Sequence, residues 1–140
     1  MPPDGTSLIA RLEAASEGSR ELDRAIHLVV FADFIKERGM VEDGDGWRDP
    51  QYGAIAPPQD YTTSLDAAIT LVPKGWFWRV GRTSIYAGWA LVHKTHPDHG
   101  EPGRNEFGWS KATGTTPVLA LCIAVLKARS AAEKETDHAA

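Results

Sequence analysis

The chain has a single cysteine among its 140 residues, so it can form no internal disulfide. Cys122 lies inside the apolar run Val118-Leu119-Ala120-Leu121-Cys122-Ile123-Ala124-Val125-Leu126, and a lone thiol in that setting fits a reducing compartment. There is no surplus of positive charge either: 15 lysines and arginines stand against 19 aspartates and glutamates, a formal net charge of −4. That balance argues against broad nucleic-acid binding by phosphate neutralisation and leaves room only for a local basic patch. No stretch approaches the ~18 consecutive apolar residues of a membrane helix. The N-terminal Met1-Pro2-Pro3-Asp4-Gly5 lacks the basic-then-apolar order of a secretory leader. A cytoplasmic protein with no membrane partner is expected.

Catalytic signatures are missing as well. The chain contains no Gly-x-Ser-x-Gly, no phosphate-binding Gly-x-x-x-x-Gly-Lys and no His-Glu-x-x-His. Cys122 as a nucleophile would have to react from an apolar helix, where burial disfavours the thiolate, so it reads as core. Acidic pairs such as Asp43 with Asp45, or Asp98 with Glu101, sit in glycine-rich turns with nothing to orient them as acid and base. The expectation is a non-enzyme, with no catalytic residue, metal or cofactor assigned.

What is present is globular composition, 42% hydrophobic and 24% charged, in a length that suits one core. A single domain over residues 1–130 is expected, followed by a polar tail over 131–140 that frays. Leu8, Leu12 and Ala15 recur at helical spacing over 7–15, and Gly18-Ser19 breaks that helix. From Ser19 a longer helix places Leu22, Ile26, Val29, Val30 and Phe34 on one face and stops at Gly39. Residues 40–60, with Gly44, Gly46, Gly53, Pro50, Pro57 and Pro58, read mostly as loop, with a short strand over 52–56. Thr63-Ser64-Leu65-Asp66 has capping-box spacing and opens a helix over 64–71.

Trp76-Phe77-Trp78-Arg79-Val80 reads as a strand with Trp76, Trp78 and Val80 on one face, paired as a hairpin with a second strand over 85–93. The polar segment 95–108 reads as loop. Thr116-Pro117 starts a helix that is apolar almost all round and therefore packs on more than one side. This order of elements predicts an α+β fold, a small antiparallel sheet covered by helices as an α/β/α sandwich.

Two clusters invite a functional reading. His93, His96 and His99 with Asp98 supply ligand types for a zinc-like ion, but their spacing matches no standard zinc pattern and reads as a solvated loop. Aromatic residues interleave with arginines: Trp47, Tyr52, Tyr61, Trp76, Trp78, Trp89 and Trp109 with Arg48, Arg79, Arg82 and Arg104. Rings and guanidiniums together can stack a base and hold a phosphate. The hairpin tryptophans serve equally as core and sheet cover. Trp47, Tyr52 and Trp109, in polar loops without apolar neighbours, are the stronger binding candidates.

The segments Tyr61-Thr62-Thr63-Ser64-Leu65-Asp66-Ala67-Ala68, Val72-Pro73-Lys74-Gly75-Trp76, and Ala112 through Thr116-Pro117 to Lys127-Ala128 resemble small phage and prophage proteins of the alpha-beta-alpha sandwich domain type. The resemblance covers residues 60–129, with 8–26 also similar, and none of its motifs is catalytic. It implies two helices, one opened by Tyr-Thr-Thr-Ser-Leu-Asp and one by Thr-Pro, that lie against the same sheet. Their free amides attract anions, so Thr62, Thr63, Thr115 and Thr116 either line a polar pocket or only cap.

The resulting expectation is a phage-encoded binding protein in the host bacterial cytoplasm, an anti-defence protein that sequesters a nucleotide-derived immune signal. Its ligand-binding residues are expected to be Trp47, Tyr52, Tyr61, Thr62, Arg79, Arg82, Trp109 and Thr115. The alternatives are an inhibitor that masks a host defence protein and a phage accessory protein without a defence role. An open sheet edge would also allow a homodimer.

Overall fold

The computed structural model describes residues 5–53, 55–93 and 109–139. Along them run helices α1 (Gly5–Ala14), α2 (Arg20–Val30) and α3 (Ala32–Arg38), then strands β1 (Val41–Asp43), β2 (Gly46–Arg48) and β3 (Ile55–Ala56). Helix α4 (Leu65–Ile69) follows, then strands β4 (Phe77–Gly81), β5 (Gly88–His93) and β6 (Trp109–Gly114), and helix α5 (Pro117–Ala139). The strands form two antiparallel sheets, β1-β2-β3 and β4-β5-β6. The α+β class expected from the sequence is the class observed.

Helix α5 begins where Thr116 and Pro117 place it. The Thr116 hydroxyl oxygen accepts from the Leu119 amide at 3.1 Å, and Pro117 occupies the first helical position, where its missing amide costs nothing. Residues 119–125 are each 0% exposed. They are buried all round because α5 packs against all three strands of the second sheet and also against α1 and α4. Leu8 and Leu12 of α1, Leu22 and Ile26 of α2, Ala67 and Ala68 of α4, and Leu71 complete this core. The helix runs to Ala139, well past the expected end near Arg129. Residues 130–139 contain neither glycine nor proline and are rich in alanine and glutamate, so nothing in them stops a helix already propagating.

The second sheet contains the predicted hairpin, with Phe77 opposite His93 and Gly81 opposite Trp89. Its third strand, β6, escaped the sequence reading and places Trp109 opposite His93 and Lys111 opposite Leu91. Trp109 therefore opens a strand rather than lying in a loop. Ala90, Val92 and Ala112 are buried toward α5, and Trp78 and Val80 pack on the same core. The period of two sends their neighbours Phe77, Arg79, Trp89, Leu91, Lys111 and Thr113 to the opposite face.

The single helix expected between Ser19 and Gly39 is two. Ser19 caps α2 by accepting from the Leu22 amide, but the backbone at Phe31 leaves helical geometry, with φ −107° and ψ 22°. Val29, Val30 and Phe31 are three consecutive residues with restricted side-chain rotamers, poor at sustaining a helix. The break turns Phe34 out to 50% exposure, away from the apolar face it was assigned to.

The glycine-rich segment also holds more structure than expected: β1 and β2 pair with Asp43 opposite Gly46 across a turn of two residues. Gly44 takes φ +61° there, the positive φ that such a tight hairpin requires at its first central position. Helix α4 is capped one residue later than predicted, by Ser64 rather than Thr63, and is shorter, ending at Ile69.

Candidate functional site

Three of the expected binding residues are built into the joint between α2 and the first sheet. Trp47, assigned to an exposed loop, lies on β2 and is 5% exposed. Its ring stacks on His27 with centroids 4.9 Å apart, and the Arg24 guanidinium lies 5.5 Å from its centroid. The neighbours absent from its own sequence surroundings, the His27 imidazole and the Arg24 guanidinium, come from a helix some twenty residues away. Its burial removes the exposed-ring argument for a binding role.

Tyr61 is 1% exposed, with its hydroxyl 3.2 Å from His27 Nδ1. Burial raises the Tyr61 pKa and lowers that of His27, so both stay neutral near pH 7. Thr62 is 2% exposed. Its hydroxyl donates to the buried Asp23 carboxylate at 2.7 Å, and its backbone amide donates to the same oxygen at 2.8 Å. The Ser19 amide donates back to Thr62 Oγ1 at 2.9 Å.

These groups are satisfied by one another, which makes the joint a structural clamp. Arg20 completes it by donating to Asp45 at 2.7 Å, Asp60 at 3.0 Å and the Pro58 carbonyl at 2.7 Å. The hydrogen bond to Asp45 leads the upward shift of the Arg20 pKa. Asp45 is thereby paired with Arg20, and Asp43 lies 3.3 Å from Arg48.

The threonines do not converge on a pocket. The Thr115 hydroxyl donates to the Ala15 carbonyl at 3.0 Å, tying the end of α1 to the turn before α5. Thr116 caps α5, and Thr63 is exposed. Cys122 is core as expected: fully buried, its thiol pushed up to about 12 by desolvation, and donating to the Tyr61 carbonyl. Tyr52 is 70% exposed and stands apart from these groups. His96, Asp98, His99, Glu101 and Arg104 lie outside the described residues, as does the side chain of Trp109.

A concave site exists elsewhere. An open groove of about 530 Å³ runs along β5 and β6, lined in part by Tyr86, Trp89, Lys111, Lys127, Glu13 and Thr83. That volume suits a small organic ligand. Trp89 is half-buried and Tyr86 is 51% exposed. The Trp89 indole lies across Gly81, its cross-strand partner: a Cβ built on Gly81 would meet Trp89 Cζ2 at 2.8 Å. A residue with no side chain at this position lets the ring approach the neighbouring strand this closely.

Lys127, from α5, reaches the groove from beyond the β6 edge, with its Nζ 3.4 Å from the Lys111 carbonyl and 3.9 Å from the Glu13 carboxylate. Arg79 occupies the same sheet face, opposite Leu91, which in turn pairs with Lys111. Arg82 is exposed just after β4.

The groove thus combines rings with lysines, where the sequence reading had set rings, Trp89 among them, beside arginines. Trp89 was legible in part, because alternation in Gly88-Trp89-Ala90-Leu91-Val92 sets it opposite the small Ala90. Lys111 and Lys127 were not, because β6 was unrecognised and Lys127 reaches the site only through the docking of α5. Among the described residues, no group of three or more His, Cys, Asp and Glu is placed to hold a metal ion, and no helix is long and apolar enough to cross a membrane. Comparison with protein-family models, curated proteins and solved structures finds no match for the chain.

Proposed function

We propose that the chain is a non-enzymatic binding protein for a nucleotide-derived small molecule, held in the groove along β5 and β6. The observation that carries this reading is the placement of Tyr86 and Trp89 beside Lys111 and Lys127 around one cavity of about 530 Å³. Flat rings stack any nucleobase, and ammonium groups attract phosphate. The resemblance to phage sandwich domains gives the proposed role its context, sequestration of a host immune signal of this chemistry.

The test incubates the purified protein with cyclic nucleotides and ADP-ribose, then denatures it and quantifies the ligand released. Intact recovery is the expected result, whereas a chemically altered ligand makes the protein an enzyme and absence of binding overturns the reading. Trp89→Leu should weaken binding by about 1–3 kcal/mol, roughly 5- to 150-fold, if stacking supplies the affinity.

A further inference from the structure

The acidic chain has one long stretch without acid. Residues 67–97 contain no aspartate or glutamate and carry Lys74, Arg79, Arg82 and Lys94, so every acidic side chain lies elsewhere in the sequence. That stretch supplies β4 and β5, and β6 adds no acidic residue to them. The sheet that bears the groove is therefore the local basic region of a protein whose net charge is −4. Lys74 and Arg82 stand just before and just after β4, both exposed, and neither makes an ion pair among the described residues. Arg79 and Lys111 already have contacts within the chain and are assigned no part.

The rings on this face are spaced apart. Trp89 lies against Gly81 of β4. Tyr86 is held at the same groove by the turn before β5, where the Thr83 amide donates to the Tyr86 carbonyl at 2.9 Å and the Tyr86 amide donates to Thr83 Oγ1 at 2.9 Å. Phe77 is 45% exposed and lies outside the groove lining, four residues before Gly81 on the same strand. At ~3.3 Å per residue the two ring seats are about 13 Å apart along β4, on one face of the sheet. One base cannot cover both. A protein interface gathers its apolar contacts into one continuous buried centre, whereas separate rings set among polar side chains suit separate bases, each of which has a face to stack.

Resting on the nucleotide reading above, we infer that the groove is one end of a track for single-stranded nucleic acid. One base sits at Trp89 and Tyr86, the strand follows β4, and a later base stacks on Phe77, with Arg82 and Lys74 at the phosphates. Stacking supplies most of the affinity. With two cations at the phosphates the dependence on salt is shallow, a slope of about −1.4 in log K against log salt at about 0.7 per phosphate contact.

Calorimetric titration of the intact protein with thymidine monophosphate, a thymidine tetranucleotide and a fully paired DNA duplex tests this. The tetranucleotide should bind roughly tenfold more tightly than the monophosphate, because it reaches a second ring, and roughly tenfold more tightly than the duplex, whose bases stack on one another. Phe77→Ala should abolish the gain of the tetranucleotide and leave the monophosphate within about twofold; Phe77 is exposed, so the substitution should not disturb folding. Arg82→Gln should make the salt slope shallower by about 0.7. Equal affinity for monophosphate and tetranucleotide, a gain that persists in Phe77→Ala, or a duplex that binds as tightly as the single strand overturns the inference while the nucleotide reading survives. If none of the three binds, the inference falls, and the nucleotide reading falls with it unless a cyclic nucleotide or ADP-ribose is retained. A self-associated protein that Phe77→Ala dissociates would then make this face a protein contact.

Discussion

Sheet β1-β2-β3 is fastened to α2 by charge and ring stacking, whereas sheet β4-β5-β6 lies on α5 through apolar side chains that exclude water. The first has strands of two or three residues and is held through Arg20, Arg24 and the Trp47–His27 stack. Arg24 pairs with Glu42 and donates to the Gly44 carbonyl at 2.8 Å. The second has strands of five or six residues and contributes Ala90, Val92 and Ala112 to a core shared with α5.

Exposed ion pairs are worth about 0–1 kcal/mol each and weaken with salt, while burial of a large aliphatic side chain is worth about 1.5–3 kcal/mol and does not. The two sheets should therefore respond differently to the same perturbation. The groove belongs to the sheet that the core holds rigid, which suits a preformed ligand site.

The contrast is most directly tested from the core side. Ile123→Ala removes a fully buried side chain from the centre of α5 and should cost about 2–5 kcal/mol in urea unfolding, with the second sheet loosening together with α5. Survival of the second sheet after α5 loosens would show that the sheet does not depend on that helix.

Asp23→Ala should come next, at about 1–3 kcal/mol, because it leaves the Thr62 amide without its acceptor in a site only 2% exposed. Hydrogen exchange should speed up over residues 41–62 while residues 119–126 keep their protection. Equal loss of protection in both would mean that the two regions unfold as one unit.

The smallest expected effect is a pH dependence. Burial lowers the folded-state pKa of His27 below its ordinary value of 6.5, so below about pH 6.5 the unfolded chain takes up a proton that the folded chain refuses. Stability from this group is complete above pH 6.5 and is lost as the pH falls toward the folded pKa. Melting temperatures at pH 7.5 and 5.5 should differ less in His27→Gln than in the parent, and an unchanged difference would remove His27 from the account.

Much of the scaffold was legible because its signals are local. Thr116-Pro117 marks a helix start by capping chemistry, the even positions Trp78 and Val80 mark a sheet face by alternation, and the unbroken apolar run marks a buried helix. Two of the failures share one cause. Trp47 looked exposed because its partners His27 and Arg24 are distant in sequence, and β6 looked like loop because Ser110, Lys111 and Thr113 have little strand character until β5 pairs with them. The Gly44 turn, the break at Phe31 and the continuation of α5 past Arg129 were missed despite local signals, the first being a glycine between two aspartates with Val41 and Trp47 on either side.

The sequence by itself determined the α+β class, the buried α5 and the β4–β5 hairpin, since capping, periodicity and turn chemistry act over a few residues. Only the tertiary structure decided which aromatic residues are core and which line a surface, because burial depends on what other segments bring to a ring. It withdrew Trp47, Tyr61 and Thr62 into a clamp and gathered Trp89, Lys111, Lys127 and Glu13 from four different elements around one groove.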